Sequence, residues 1–144
     1  MTTPGGALAR KVLLIEPDGL VRGTVASVCR DMHIARVSQA ISIASAEQWL
    51  KIGAPQALLI SLAEGDAALD FLTRLRAGAF RCEADMPVVA MARVVDAALV
   101  ARLKELDVRR LLLQPFRLHD VIHTLEQLWP VQEAILAGRE WIQP

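Results

Sequence analysis

Four short apolar runs in this chain end at positions where chemistry would have to sit. Residues 11–15 run into Glu16-Pro17-Asp18, and residues 57–60 run into Ser61. Residues 87–91 run into Ala92, and residues 111–113 run into Gln114-Pro115-Phe116. Continuous apolar runs of this length are the mark of buried parallel strands. In an open parallel α/β sheet, ligands and chemistry gather at the carboxyl ends of the strands. The residues found there are mostly silent. Pro17 and Ala92 carry no side-chain oxygen, and Gln114 is uncharged. Ser61 is a nucleophile only with a base beside it. Glu16 and Asp18 are the charged groups of the set.

Other candidate groups are scattered. His119 and His123 stand four residues apart on an expected helix and could share a metal, but a site needs further ligands. Leu118, Ile122 and Leu125 mark the apolar side, so the histidines fall on a solvated face. Arg109-Arg110 could meet a phosphate or nucleic acid, although two charges at the start of a strand read as solvated. Gly5-Gly6 and Gly19 form no phosphate-cradling motif. Cys29 and Cys82 lack metal or redox spacing and read as unreactive free thiols in a reducing compartment.

The elements that must position these residues follow from periodicity. The chain has 144 residues, 53% of them hydrophobic, and 16 basic against 16 acidic residues. That is one domain with a real core and no global charge to draw in nucleic acid or an anionic membrane. No apolar run approaches a membrane span, and the start lacks the pattern of a signal peptide. The expected location is cytoplasmic.

Residues 1–10 read as a flexible lead. A helix over about 20–31 carries Leu20, Val21, Val25 and Val28, and an outer strand covers 35–40. Ser45-Ala46-Glu47-Gln48 has the residue types of a capping box around a short helix with Trp49 and Leu50; Gly53-Ala54-Pro55 stops it. The helix over 67–77 sets Leu69, Leu72 and Leu75 inward, with Asp70, Arg74 and Arg76 outward. A loop spans 78–86. Asp96 can cap a helix with Leu99, Leu103 and Leu106. The last strand covers 109–113, and the last helix of the series runs from 118 to 129 with Leu118, Val121, Ile122, Leu125 and Leu128 on one side. Strand and helix alternate five times, which predicts an α/β domain with a parallel sheet covered on both faces. Pro130 breaks the chain, and 131–141 can form one extra helix outside that count, within an extension covering 130–144.

Over about 11–129 the chain resembles the receiver domain of bacterial two-component response regulators. The resemblance rests on the order and spacing of four pieces: Val12-Leu13-Leu14-Ile15-Glu16-Pro17-Asp18-Gly19-Leu20-Val21-Arg22, Pro55-Gln56-Ala57-Leu58-Leu59-Ile60-Ser61, Met86-Pro87-Val88-Val89 and Gln114-Pro115-Phe116. It implies a doubly wound, flavodoxin-like sheet of five parallel strands in the order 2-1-3-4-5. It also implies a place in two-component signal transduction and phosphorelay, with a phosphoryl group accepted on an aspartate after the third strand. An acidic pair after the first strand would hold Mg²⁺ with that aspartate. A hydroxyl residue after the fourth strand and a lysine after the fifth would bind the phosphoryl oxygens.

The chain departs from that pattern at nearly every such position. Glu16 keeps the first acidic place. Pro17 takes the second, and Asp18 comes one residue late. Ser61 stands for the acceptor aspartate, Ala92 for the hydroxyl residue, and Gln114 for the lysine. Leu111 stands for the switch aromatic. Glu16 by itself cannot satisfy Mg²⁺, which needs several oxygens in octahedral array. Glu16 is expected to be the only carboxylate at the ends of strands one and three aimed into the pocket.

The expected protein is therefore a degenerate receiver, or pseudo-receiver. It is not an enzyme, has no cofactor or metal, and acts by protein–protein interaction or dimerisation without phosphorylation. Leu99, Leu103, Leu111, Phe116, Trp129, Leu136 and Trp141 are the contact candidates. The partner is a protein or a second copy, or a covalently linked output domain, with no membrane and no direct nucleic-acid binding. Two alternatives stand beside this: a small-ligand sensor using the emptied acidic pocket, and an atypical response regulator that still accepts phosphate.

Overall fold

A computed structural model of the chain describes residues 10–128. Nearly all of the expected lead lies outside those residues. So do Trp129 and the extension over 130–144 with Leu136 and Trp141.

Five strands alternate with five helices. The strands are β1 (Lys11–Ile15), β2 (Arg36–Ala40), β3 (Ala57–Ser61), β4 (Val88–Ala92) and β5 (Arg110–Leu113). The helices are α1 (Gly19–Asp31), α2 (Ile43–Trp49), α3 (Asp66–Arg76), α4 (Ala97–Glu105) and α5 (Leu118–Glu126). All strands are parallel and lie in the order β2-β1-β3-β4-β5, as expected.

The two-residue period of a strand sends alternate side chains to opposite faces. Leu13, Ile15, Leu58, Ile60, Val88 and Ala90 face the layer of α2, α3 and α4, where they meet Ala46, Phe71, Leu72, Leu75 and Leu103. Val12, Leu14, Leu59, Val89, Met91 and Leu112 face α1 and α5, where they meet Val25, Cys29, Val121 and Leu125. Both faces are dry, which is why the central strands read as unbroken apolar runs.

The starts of α1, α2 and α4 are fixed by side-chain oxygens. Asp18 Oδ1 accepts from the amides of Leu20 and Val21, at 2.9 and 3.1 Å. Asp96 Oδ1 accepts from the amide of Leu99 at 2.8 Å, as expected. The cap of α2 differs from expectation. Ser42 is the N-cap and exchanges bonds with Ser45, both at 3.0 Å, so the box lies three residues earlier than the Ser45–Gln48 reading. Ser45 supplies the N3 oxygen that Glu or Gln more often provides.

Four side-chain placements also differ, the first being Leu20, which the helical spacing counted among the apolar positions of α1 and which is exposed in its first turn. In α3 the buried set is Ala68, Phe71, Leu72 and Leu75, a clean helical stripe, and Leu69 is only half-buried. Phe71 is the large core residue that a leucine count misses. Arg76 does not point to solvent. Its guanidinium donates to the carbonyls of Ala84, Met86 and Leu106 at 2.8 Å each, and to that of Asp107 at 3.1 Å. Leu118 opens α5 in an exposed position instead of on its apolar side. Among the described residues, no helix is long and apolar enough to cross a membrane.

Candidate functional site at the strand ends

The parallel register brings the expected positions together. Ile15 pairs with Ile60, Ser61 with Met91, and Ala92 with Leu113. The residues at or just past the ends of β1, β3, β4 and β5 therefore share one rim. The ladder bonds continue past the ends: the Glu16 amide donates to Ala40 O at 3.0 Å, and the Gln114 amide donates to Ala92 O at 2.8 Å. A cleft of about 660 Å³ opens at this rim. Glu16, Pro17, Asp18, Ser61, Ala92 and Gln114 all line it, so every pocket residue expected from the sequence is there. Arg93 and Asp66 line it too. Both went unread in the sequence, because a single charge in a loop or first helical turn resembles any solvated charge. Asp18 and Asp66 add carboxylates to the cleft lining, Asp18 with its Oδ1 turned to α1 and Asp66 on the first turn of α3.

Each group is held in a definite way. Glu16 is 2% exposed. Its Oε2 accepts from the Asp18 amide at 2.9 Å, while its Oε1 is buried with no hydrogen-bond partner. Burial pushes the Glu16 carboxyl above its ordinary range, with the Asp18 charge adding to the rise; the Asp18 amide bond, Arg22 and Arg93 pull the other way. Arg22 is spent on backbone, its Nη1 donating to the carbonyls of Glu16 and Pro17 at 2.8 and 3.3 Å. Asp18 points its Oδ1 back at α1 as the cap.

Ser61 is buried, and its Oγ accepts from the Ala63 amide at 3.1 Å. Among the described residues no base is hydrogen-bonded to it, so nothing there removes its proton. Ala92 presents a buried methyl group. Gln114 precedes a cis peptide to Pro115. The acidic groups do not form a cation cage: among the described residues, no three His, Cys, Asp or Glu side chains are placed to hold a metal ion.

The remaining candidates lie elsewhere. His119 and His123 are exposed and stack with ring centroids 6.1 Å apart. Arg109 and Arg110 are exposed at the start of β5. Cys29 is buried on the inner face of α1, and burial pushes its thiol up to about 11. Burial raises the half-buried Cys82 thiol as well. Neither sulfur is a ready thiolate near neutral pH. Among the contact candidates, Leu99, Leu111 and Phe116 are half-buried. Leu103 is buried in the domain's own core, so it is not available as a surface anchor; the helical period that marked it as apolar points it inward. Trp129, Leu136 and Trp141 lie outside the described residues.

No protein-family model matches the sequence, and no curated protein matches it. Solved structures do match. The non-phosphorylated HemR receiver domain from Leptospira biflexa superposes with a TM-score of 0.74 at 22% identity, over 84% of this chain and 94% of that one. The chemotaxis protein CheY4 of Vibrio cholerae gives 0.72 at 15% identity, over 83% of this chain and 98% of that one. A response regulator from Thermotoga maritima gives 0.71 at 17% identity, over 83% and 96%. The chain thus has the CheY-like, flavodoxin-like fold of response-regulator receiver domains.

Proposed function

We propose that this chain is a degenerate receiver, a cytoplasmic signalling module that works through protein–protein contact and does not depend on phosphorylation. Fold alone does not assign function, so the reading has to come from the site. The observation that carries it is the state of the strand-end cleft. Phosphoryl transfer is catalysed by positioning and by charge that neutralises the phosphoryl oxygens. Here the acceptor position holds Ser61, whose oxygen is turned to the Ala63 amide. The neighbouring positions hold Pro17, Ala92 and Gln114, and Asp18 is committed to capping α1. A catalytic role is not part of the proposal.

What remains for such a module is its surface. The corner made by β5 and the starts of α4 and α5 exposes apolar side chains. Val94 is 81% exposed, Leu113 52% and Leu118 37%, beside half-buried Leu99, Leu111 and Phe116. A protein partner, a second copy or a covalently linked output domain could cover this corner. Direct nucleic-acid binding is not proposed, since 16 basic residues balance 16 acidic ones.

The test is incubation with acetyl phosphate and Mg²⁺, followed by intact mass and by spectra with a beryllofluoride mimic. No change is expected in either. A stoichiometric, acid-stable phosphate on Ser61 would overturn the reading.

A further inference from the structure

The buried Glu16 carboxyl has one oxygen, Oε1, with no partner. A buried acceptor left unmade costs about 1–3 kcal/mol, and more when charged. Native structures rarely leave such a group idle unless a water, an ion or a ligand completes it. The chain's own cations do not complete it. Arg22 donates to backbone carbonyls, and Arg93 is exposed on the cleft rim. A divalent metal ion is the wrong complement, because it needs several oxygens and the Asp18 carboxylate is turned to α1.

The shape of the cleft narrows the choice. Its volume of about 660 Å³ is that of a small-molecule or side-chain pocket, far larger than a bare ion. Three carboxylates, Glu16, Asp18 and Asp66, line it against one arginine, Arg93. Leu62, Leu69 and Leu99 supply an apolar wall.

We infer that the cleft binds an organic monocation, an alkylammonium or alkylguanidinium head group whose nitrogen donates to Glu16 Oε1 and whose carbon chain lies along Leu62, Leu69 and Leu99. The head group could belong to a free amine or to a lysine or arginine side chain of a docking protein; the chemistry is the same. This goes beyond the proposed function and does not rest on it, since a contact module with an inert cleft would satisfy that reading equally well.

The experiment is an amide NMR titration of the full chain with butylammonium chloride, butylguanidinium chloride and a short peptide carrying one lysine. Butanol, butyrate and MgCl₂ are the comparators. Saturable shifts at Ser61, Ala92 and Gln114 are expected with at least one cationic probe, and none with butanol or butyrate. Saturation by the free amines assigns the head group to a small molecule; saturation by the peptide alone assigns it to a partner's side chain. Glu16→Gln keeps the acceptor for the Asp18 amide but removes the charge, and should weaken binding by about tenfold or more. Gln114→Lys, at a half-exposed position on the same cleft, places a cation within the chain. It should raise the melting temperature and displace the probe, and it carries the test should Glu16→Gln fail to fold. The inference is overturned by no saturable shift with any cationic probe, by equal binding of butanol, by Mg²⁺ as the only ligand, or by unchanged affinity in both variants. A crystal structure with the Arg93 guanidinium bonded to Glu16 Oε1 would overturn it as well.

Discussion

Glu16 is a carboxyl group with one oxygen satisfied and one not, held where water hardly reaches. Its raised pKa has a consequence for stability. From the ordinary glutamate value, about 4.3, up to the raised folded value, the unfolded chain has lost this proton while the folded chain keeps it. The folded state then binds more protons, so this group's contribution to stability falls as pH rises through that window. Glu16→Gln has no such loss. Its stability relative to the parent should climb with pH across the same window in urea denaturation, and a constant difference would contradict the burial argument. Ser61 carries a second prediction. Ser61→Asp by itself should not accept phosphate, because Pro17, Ala92 and Gln114 still leave metal and phosphoryl oxygens without support; recovery needs at least Pro17→Asp and Gln114→Lys as well. Rapid labelling of Ser61→Asp by acetyl phosphate would show that fewer groups suffice. The positions of Glu16, Ser61, Ala92 and Gln114 were legible in the sequence, since each follows an apolar strand and parallel register aligns strand ends. Asp66 and Arg93 were not, because only the folded loops bring those charges to the cleft.

Local elements obey the same rule of legibility. The five strands and five helices were readable, with small shifts at their ends, because burial on both faces writes continuous apolar runs and helical stripes. The details that failed depend on which partner a polar group finds. Ser45 looks like an N-cap until Ser42 is seen to hold that place. Arg76 looks like a solvated helix charge until the end of α4 and the loop before β4 fold around it. Its guanidinium gathers four carbonyls from two segments that share no other backbone ladder with α3. Arg76→Ala should therefore destabilise by roughly 2–3 kcal/mol, measured by chemical denaturation, through loss of charge-assisted bonds to half-buried carbonyls. Arg76→Lys should recover little, since an ammonium cannot present a fork. A lysine variant as stable as the parent would show that charge, not fork geometry, holds the loop. Gly65 stands at the head of α3 with φ +63° and ψ −124°, a region other residues avoid. Gly65→Ala should cost more than about 1 kcal/mol.

At the scale of the molecule, the two core layers account for the sheet and its helices, but not for the apolar side chains left outside. Val94 follows β4, Leu113 ends β5 and Leu118 opens α5, on the side of the fold where α4 and α5 begin. Single exposed apolar residues are ordinary; their grouping beside half-buried Leu99, Leu111 and Phe116 is what supports placing the proposed contact here. Leu103, one helical turn further into α4, belongs to the core instead. The two kinds of position should separate cleanly under mutation. Leu103→Ala should lower stability by about 2–5 kcal/mol, as buried leucine truncations do. Leu113→Glu with Leu118→Glu should leave the melting temperature nearly unchanged and remove association. Sedimentation of the full chain reads the homodimer case directly: a specific interface covers about 800 Å² per partner, and two central charges facing their own copies would oppose it. If the parent is a monomer at high concentration, the same double variant should fail to retain a protein partner that the parent retains. A double variant that matches the parent in both measurements would place the contact surface somewhere other than this corner.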